Sequence, residues 1–119
     1  MKYLALLYSS EAARPNPSQP DFPSVMAAYA KAGKTFAERG ILLGANPLQP
    51  VATAVSVQVR DGKPVTTDGP FAETKEHLGG YYLLDCADLD DAIQNARLIP
   101  AVDYGTIELR PVMDIPDTP

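Results

Sequence analysis

Two stretches of helical periodicity, each flanked by strand-like segments, constrain the fold of this chain more than any other feature. In residues 22–39, apolar side chains recur every three or four positions as one stripe, and Gly40 is placed to end the helix. A second stripe follows Asp88, a residue type that caps helices, and stops at Pro100. Each stripe has to be buried against another layer, so we expect both helices to pack on a sheet.

Short apolar or alternating segments predict the strands. They cover residues 2–8, 41–45, 52–60, 64–67, 81–86 and 104–112, and Asp61-Gly62 is a strong hairpin signal between the third and the fourth. The order is strand, helix, strand, hairpin, strand, helix, strand. It predicts an α+β fold of the ferredoxin-like βαβ–βαβ type with an inserted hairpin, in which both helices cover one face of an antiparallel sheet. We expect residues 1–113 to form a single domain and residues 114–119 a loose C-terminal tail.

The face of the sheet without helices predicts a partner. On the last strand, Ile107 and Leu109 share one face, and Glu108 and Arg110 share the other. A half-apolar open face of this kind is normally covered by a second subunit, which predicts a homodimer.

Composition excludes several classes of partner. The net charge is -5, and the ten basic residues are scattered, which argues against nucleic acid or an anionic membrane surface as the main partner. One His and one Cys argue against a metal site of the His and Cys type, and no phosphate-binding glycine loop is present, so no cofactor is predicted. No segment approaches the ~18 apolar residues of a membrane span, and the N-terminus is unlike a signal peptide. We therefore predict a cytoplasmic protein.

The segment from Asp68 to Gly80 concentrates the reactive side chains. Asp68 is a candidate general base or ligand anchor, and equally a turn-forming residue that bonds the following backbone. Glu73 and Glu76 are candidates for acid–base or ligand contacts, or form local ion pairs with Lys75. Lys75 can in turn bind an anionic substrate or remain a solvated surface residue.

Further candidates lie in this segment and on the flanking strands. Phe71 either anchors the loop to the core or walls a pocket. Arg110 is either a carboxylate clamp or one half of a salt bridge to Asp68 or Glu73. We assign Asp68 and Glu73 as the catalytic candidates. The ligand-binding candidates are Phe71, Lys75, Glu76, Arg110 and Tyr8.

The run Val65–Glu76, followed by Leu78–Tyr82, resembles the signature of the DGPF branch of the YCII-related proteins. Further matches lie at Asp88–Ala92 and Glu108–Val112, so the resemblance covers essentially the whole chain. It implies a dimeric α+β barrel, in which two ferredoxin-like subunits pack sheet to sheet. Some relatives are suspected enzymes with a His-Asp pair in the cleft. This chain departs from that pattern, because its single histidine, His77, lies in the loop motif.

Two functions fit these observations. The first is binding of a small metabolite, an anion if Lys75 or Arg110 holds it, in a cleft lined by residues 68–80. Its catalytic version is cofactor-free acid–base chemistry of the isomerase or lyase kind. The second function, which the resemblance suggests, is a non-catalytic accessory or sensor module associated with a sigma factor in transcriptional regulation. The sequence leaves open whether the protein is an enzyme.

Overall fold

The structure is a computed structural model and describes residues 1–116. A four-stranded antiparallel sheet has the order β2-β5-β1-β6, and β3 and β4 form a separate two-stranded hairpin. This α+β arrangement is consistent with the predicted ferredoxin-like fold. The elements are β1 (Lys2–Ser9), α1 (Phe22–Glu38), β2 (Leu42–Pro47), a 3-10 turn (Val51–Thr53), β3 (Val55–Arg60), β4 (Lys63–Asp68), β5 (His77–Asp85), α2 (Leu89–Ala96), α3 (Ala101–Tyr104) and β6 (Thr106–Pro111).

The first helix forms where its apolar stripe predicts it. Pro23 occupies the first turn, where a missing backbone donor costs little, and Gly40 follows the helix with a φ of 71°. Asp21 precedes the helix, but its side chain makes no capping hydrogen bond. The stripe turns Ala32 and Phe36 toward the sheet, and both are buried.

The second helix has the predicted cap. The Asp88 carboxylate accepts a hydrogen bond from the Asp91 backbone N–H at 2.8 Å, and the Asp91 carboxylate accepts one from the Ala87 N–H at 2.9 Å. The first bond satisfies a backbone donor that the helix start leaves unpaired, and the second ties the residue before the cap to the first turn. Asn95 is buried at the other end of α2, where it accepts a hydrogen bond from Arg39 at 2.5 Å and donates to the Asp91 carbonyl. The Asn95 amide therefore connects α2 to the end of α1.

The core lies between the helices and one face of the sheet. Phe36 and Leu84 are fully buried there, and the Phe36 ring meets Tyr82 edge-on with ring centroids 5.6 Å apart. Ile107 and Leu109 also pack against this core, as their alternation on the last strand predicts.

Among the predicted strands, the largest difference in a boundary is at β5, which begins at His77 and not at Tyr81. Gly79 and Gly80 therefore lie inside a strand, and the loop after β4 is confined to residues 69–76. The reason is a close backbone approach: a Cβ on Gly80 would lie 3.1 Å from the Asn46 carbonyl oxygen of β2.

Several features lie outside this sheet-and-helix layer. Asp61 and Gly62 both have positive φ, as the predicted tight hairpin turn requires.

Residues 112–116 have no regular structure, and the remainder of the predicted tail, residues 117–119, lies outside the described residues. No helix within residues 1–116 is long and apolar enough to cross a membrane.

Candidate functional site

A cavity of about 400 Å³ lies between α1, α3 and the adjoining end of the sheet. The loop that follows β1 contributes Arg14 and Pro15 to its wall, so this loop folds over the cavity and is not only a connection. Much of the remaining wall is apolar, including Leu7, Met26, Ala45, Pro47 and Ala101. An apolar recess with a few polar groups is the usual form of a small-molecule site.

Two tyrosines from different helices form the main polar feature of the cavity. The hydroxyl groups of Tyr29 on α1 and Tyr104 on α3 are hydrogen-bonded to each other. This bond uses one of the two phenol protons, and neither hydroxyl has another hydrogen-bond partner within residues 1–116. The second proton is therefore available to a ligand atom in the cavity.

Burial and the bond to Tyr104 raise the pKa of Tyr29 well above its ordinary value of 10.0. Burial also raises the pKa of Tyr82, which lines the same cavity. Both phenols therefore stay protonated to a higher pH than an exposed tyrosine does. Tyr29 is suited to donate a hydrogen bond and not to act as a phenolate base.

The raised pKa of Tyr29 gives an expected dependence of stability on pH. Above about pH 10 the unfolded chain releases the Tyr29 proton while the folded chain retains it, so the free energy of unfolding should decrease as pH rises. Urea unfolding at increasing alkaline pH should show that the free energy of unfolding decreases less steeply with pH in Tyr29→Phe than in the wild type. Equal losses in both proteins would contradict a buried, neutral Tyr29.

Arg14 places a positive charge at this cavity. Its guanidinium donates hydrogen bonds to the backbone carbonyls of Leu48 and, at 3.4 Å, Gly79. Its charge also acts on Tyr29, in the direction that lowers the phenol pKa. Among residues 1–116, no carboxylate forms an ion pair with Arg14. The cavity therefore contains a half-buried cation whose charge the described part of the chain does not neutralise.

The predicted site residues are distributed unevenly around this cavity. Tyr8 lines it. Asp68, Glu73 and Lys75 are exposed and lie outside the cavity wall, and Phe71 is 78% exposed, so its ring does not anchor the loop to the core of this chain. The catalytic and binding roles of these loop residues remain predictions.

The other two candidates also lie outside the cavity wall. Glu76 is half-buried, and its carboxylate accepts a hydrogen bond from the Thr106 hydroxyl at 3.0 Å. Arg110 is exposed on β6, and within residues 1–116 it forms no ion pair with Asp68 or Glu73. The structure therefore does not bring Arg110 to the loop motif within one chain.

Sequence reasoning missed Arg14, Tyr29 and Tyr104. One signal was available for Arg14, the only Lys or Arg between Lys2 and Lys31. Another was available for Tyr29, because a phenol at an inward position of a helical stripe needs a hydrogen-bond partner. No local pattern in the sequence indicates that α1 and α3 bring the two tyrosine hydroxyls together.

Comparison with known proteins identifies the family. The YCII-related domain model matches residues 1–116. The chain belongs to the YCII-related family. An uncharacterised protein of Rhizobium meliloti (strain 1021) is 35% identical over 114 residues, which cover 94% of this chain and 92% of that relative. Membership of the DGPF branch remains a prediction.

The chemistry available in this YCII-related protein follows from the cavity wall. It offers a cation, several phenol groups that include the free donor of the Tyr29–Tyr104 pair, and apolar surface, while Asp, Glu and His are absent from the described wall. These groups are suited to hold an oxygen-bearing anion. They include no carboxylate or imidazole that would serve as a general base.

Proposed function

We propose that this YCII-related protein binds a small organic anion with an apolar body in the cavity between α1, α3 and the sheet. The observation that carries the proposal is Arg14, a half-buried cation with no carboxylate partner among residues 1–116. A partly desolvated charge is unfavourable without a counter-charge, and a ligand carboxylate would supply one.

The other groups in the cavity favour the same ligand class. The free proton of the Tyr29–Tyr104 pair is a donor for a ligand oxygen. The raised pKa of Tyr29 keeps its phenol protonated, so it adds no negative charge that would repel an anion. The apolar wall favours a hydrocarbon or aromatic body over a highly hydroxylated one, because burying a hydroxyl group without a partner is unfavourable.

Binding has more support than catalysis. The predicted catalytic carboxylates, Asp68 and Glu73, are exposed outside the cavity in this chain. Cofactor-free acid–base chemistry therefore remains a prediction that depends on bringing one of these carboxylates to the ligand. The accessory-module alternative also remains a prediction.

The proposal includes the homodimer of the α+β barrel type. The residues of β1 and β5 that face away from the helices include Leu4, Leu6 and Leu83, and all three remain half-exposed in the single chain. A second sheet packed on this face would remove these leucines from water. The exposure of these leucines in the single chain is the observation that supports the dimer.

A thermal-shift screen with a library of small carboxylates tests the binding proposal. A bound anion at about a hundred times its dissociation constant should stabilise the protein by ~2.7 kcal/mol. Arg14→Gln should weaken that anion by about 30-fold, because it removes charge-assisted hydrogen bonds. Arg97→Gln is the matched control: it removes the same charge from an exposed site outside the cavity wall, and affinity should be unchanged.

The same screen separates the cavity from the loop motif. Asp68→Asn and Glu73→Gln should retain the ligand if the cavity alone binds it. Loss of binding in these variants or in Arg110→Gln, with binding intact in Arg14→Gln, would contradict the cavity site. Failure of every carboxylate to raise the melting temperature would also count against the proposal.

A further inference from the structure

The hairpin formed by β3 and β4, residues 55–68, extends from the body of the protein as an arm. It makes at most marginal contact with the helices and the four-stranded sheet. The radius of gyration is 16.5 Å, whereas about 13.5 Å is typical of a compact domain of this length. Two isolated strands are only marginally stable in water, so an arm of this kind requires a surface to pack on.

One face of the arm is apolar and unprotected. Val55, Val57 and Val59 are 59%, 64% and 63% exposed. They alternate with Ser56 and Gln58, which are only half-exposed, so the arm turns its apolar side toward solvent and its polar side partly inward. This arrangement is the reverse of what a free surface hairpin is expected to show.

The tip and the base of the arm add two further unsatisfied features. Arg60 and Lys63 are direct cross-strand partners, an unfavourable like-charge pair, and neither forms an ion pair within residues 1–116. Beyond the base, Phe71 is 78% exposed. Asp61 lies in the turn between Arg60 and Lys63, so the tip carries a net charge of +1. The arm therefore combines an apolar stripe, this cationic tip and an aromatic ring near its base, none of which is covered by the described chain.

We propose that the arm docks on a second copy of this chain, with the valine stripe and Phe71 against apolar surface of that copy and the tip near its carboxylates. The inference extends the proposed homodimer and is independent of the proposed ligand. It gives the Asp68–Phe71 part of the motif a role between subunits, because this segment continues directly from the arm.

Charge and area both favour a second copy over another partner. Asp88, Asp90 and Asp91 cluster at the start of α2, so each copy offers a local acidic surface to the Arg60 and Lys63 side chains of the tip. Three valines cannot supply the ~800 Å² per partner of a typical stable interface, so the arm must add to another contact. The open sheet face is such a contact, and twofold symmetry would use both surfaces twice.

The test is the oligomeric state of the full chain, measured by sedimentation velocity over a range of protein concentrations. Val57→Asp places a carboxylate in the middle of the valine stripe and should weaken the dimer by at least ~100-fold. Thr67→Asp is the matched control, because it adds the same charge to the same hairpin on the opposite face. It should leave the dimer unchanged, and circular dichroism should show that both variants are folded.

Three outcomes would overturn the inference. They are a monomeric wild type, a Val57→Asp variant that dimerises as the wild type does, and equal weakening by both variants. A persistent dimer in Val57→Asp would leave the sheet-to-sheet dimer intact, and a normal ligand response in every variant would leave the binding proposal intact. If Val57→Asp does not fold, hydrogen exchange of the wild type decides: protection of residues 55–68 should increase with protein concentration, and its absence would reject the arm contact.

Discussion

Replacing Phe36 by alanine should lower the free energy of unfolding by about 4 kcal/mol, a large fraction of the stability of a single domain. Phe36 is completely buried between α1 and the sheet. Its removal eliminates the transfer free energy of the ring, leaves a cavity, and removes the edge-on contact with Tyr82. The midpoint of urea unfolding, with an unchanged slope, measures the loss.

Phe36→Leu is the control for this prediction. Leucine retains most of the buried volume but not the aromatic contact, so we expect a loss of only about 1.5 kcal/mol. Because Tyr82 lines the candidate cavity, Phe36→Ala should also weaken ligand binding, whereas Phe36→Leu should weaken it less. A loss below about 1 kcal/mol for Phe36→Ala would contradict the central position of this ring.

Gly105→Ala should destabilise the protein by about 3 kcal/mol, at the upper end of what overpacking costs. The backbone of Gly105 is extended, so the effect arises from space and not from torsional strain. A Cβ at this position would overlap the Tyr8 carbonyl oxygen and lie 3.0 Å from the Ser9 Cβ. The backbone where β1 meets β6 would have to move, and thermal unfolding should shift down by roughly 10 °C.

Gly33→Ala provides the opposite expectation in the same chain. Gly33 lies inside α1, and a Cβ there would meet no atom within 4 Å. Alanine should therefore stabilise the protein by about 0.5–1 kcal/mol, because glycine is a poor helix former. Equal effects of the two substitutions would contradict the close approach of Gly105 to β1.

Local chemistry predicted most elements of this fold, but not the 3-10 turn or α3, whose residues 52–53 and 104 were assigned to strands. The stripe of α1, the Asp88 cap and the Asp61-Gly62 turn each depend on residues within a few positions of one another, so their sequence patterns were sufficient. The start of β5 was predicted four residues too late, because Gly79 and Gly80 were interpreted as a loop signal. Glycine permits both a loop and a close strand pairing, and the Gly80 contact with β2 decides between them.

The candidate site was less predictable than the fold. Clustering along the chain drew attention to Asp68 and Glu73, which the structure leaves exposed in this chain. Arg14 is 34 residues from one of its carbonyl partners, and Tyr29 is 75 residues from Tyr104. Such contacts depend on how the loop and helices pack, and no local pattern records them.

The sequence alone determined the α+β class, both helix stripes, the tight hairpin and, through its long motif, the expected relation to YCII-related proteins. The fold properties depend on local propensity and periodicity, and the expected family relation depends on the motif itself. Only the tertiary structure placed the Tyr29 and Tyr104 hydroxyls and Arg14 around one cavity, and only it showed the valine face of the arm directed to solvent. The physical reason is that burial and unpaired charge are properties of packed surfaces, which form when distant segments meet.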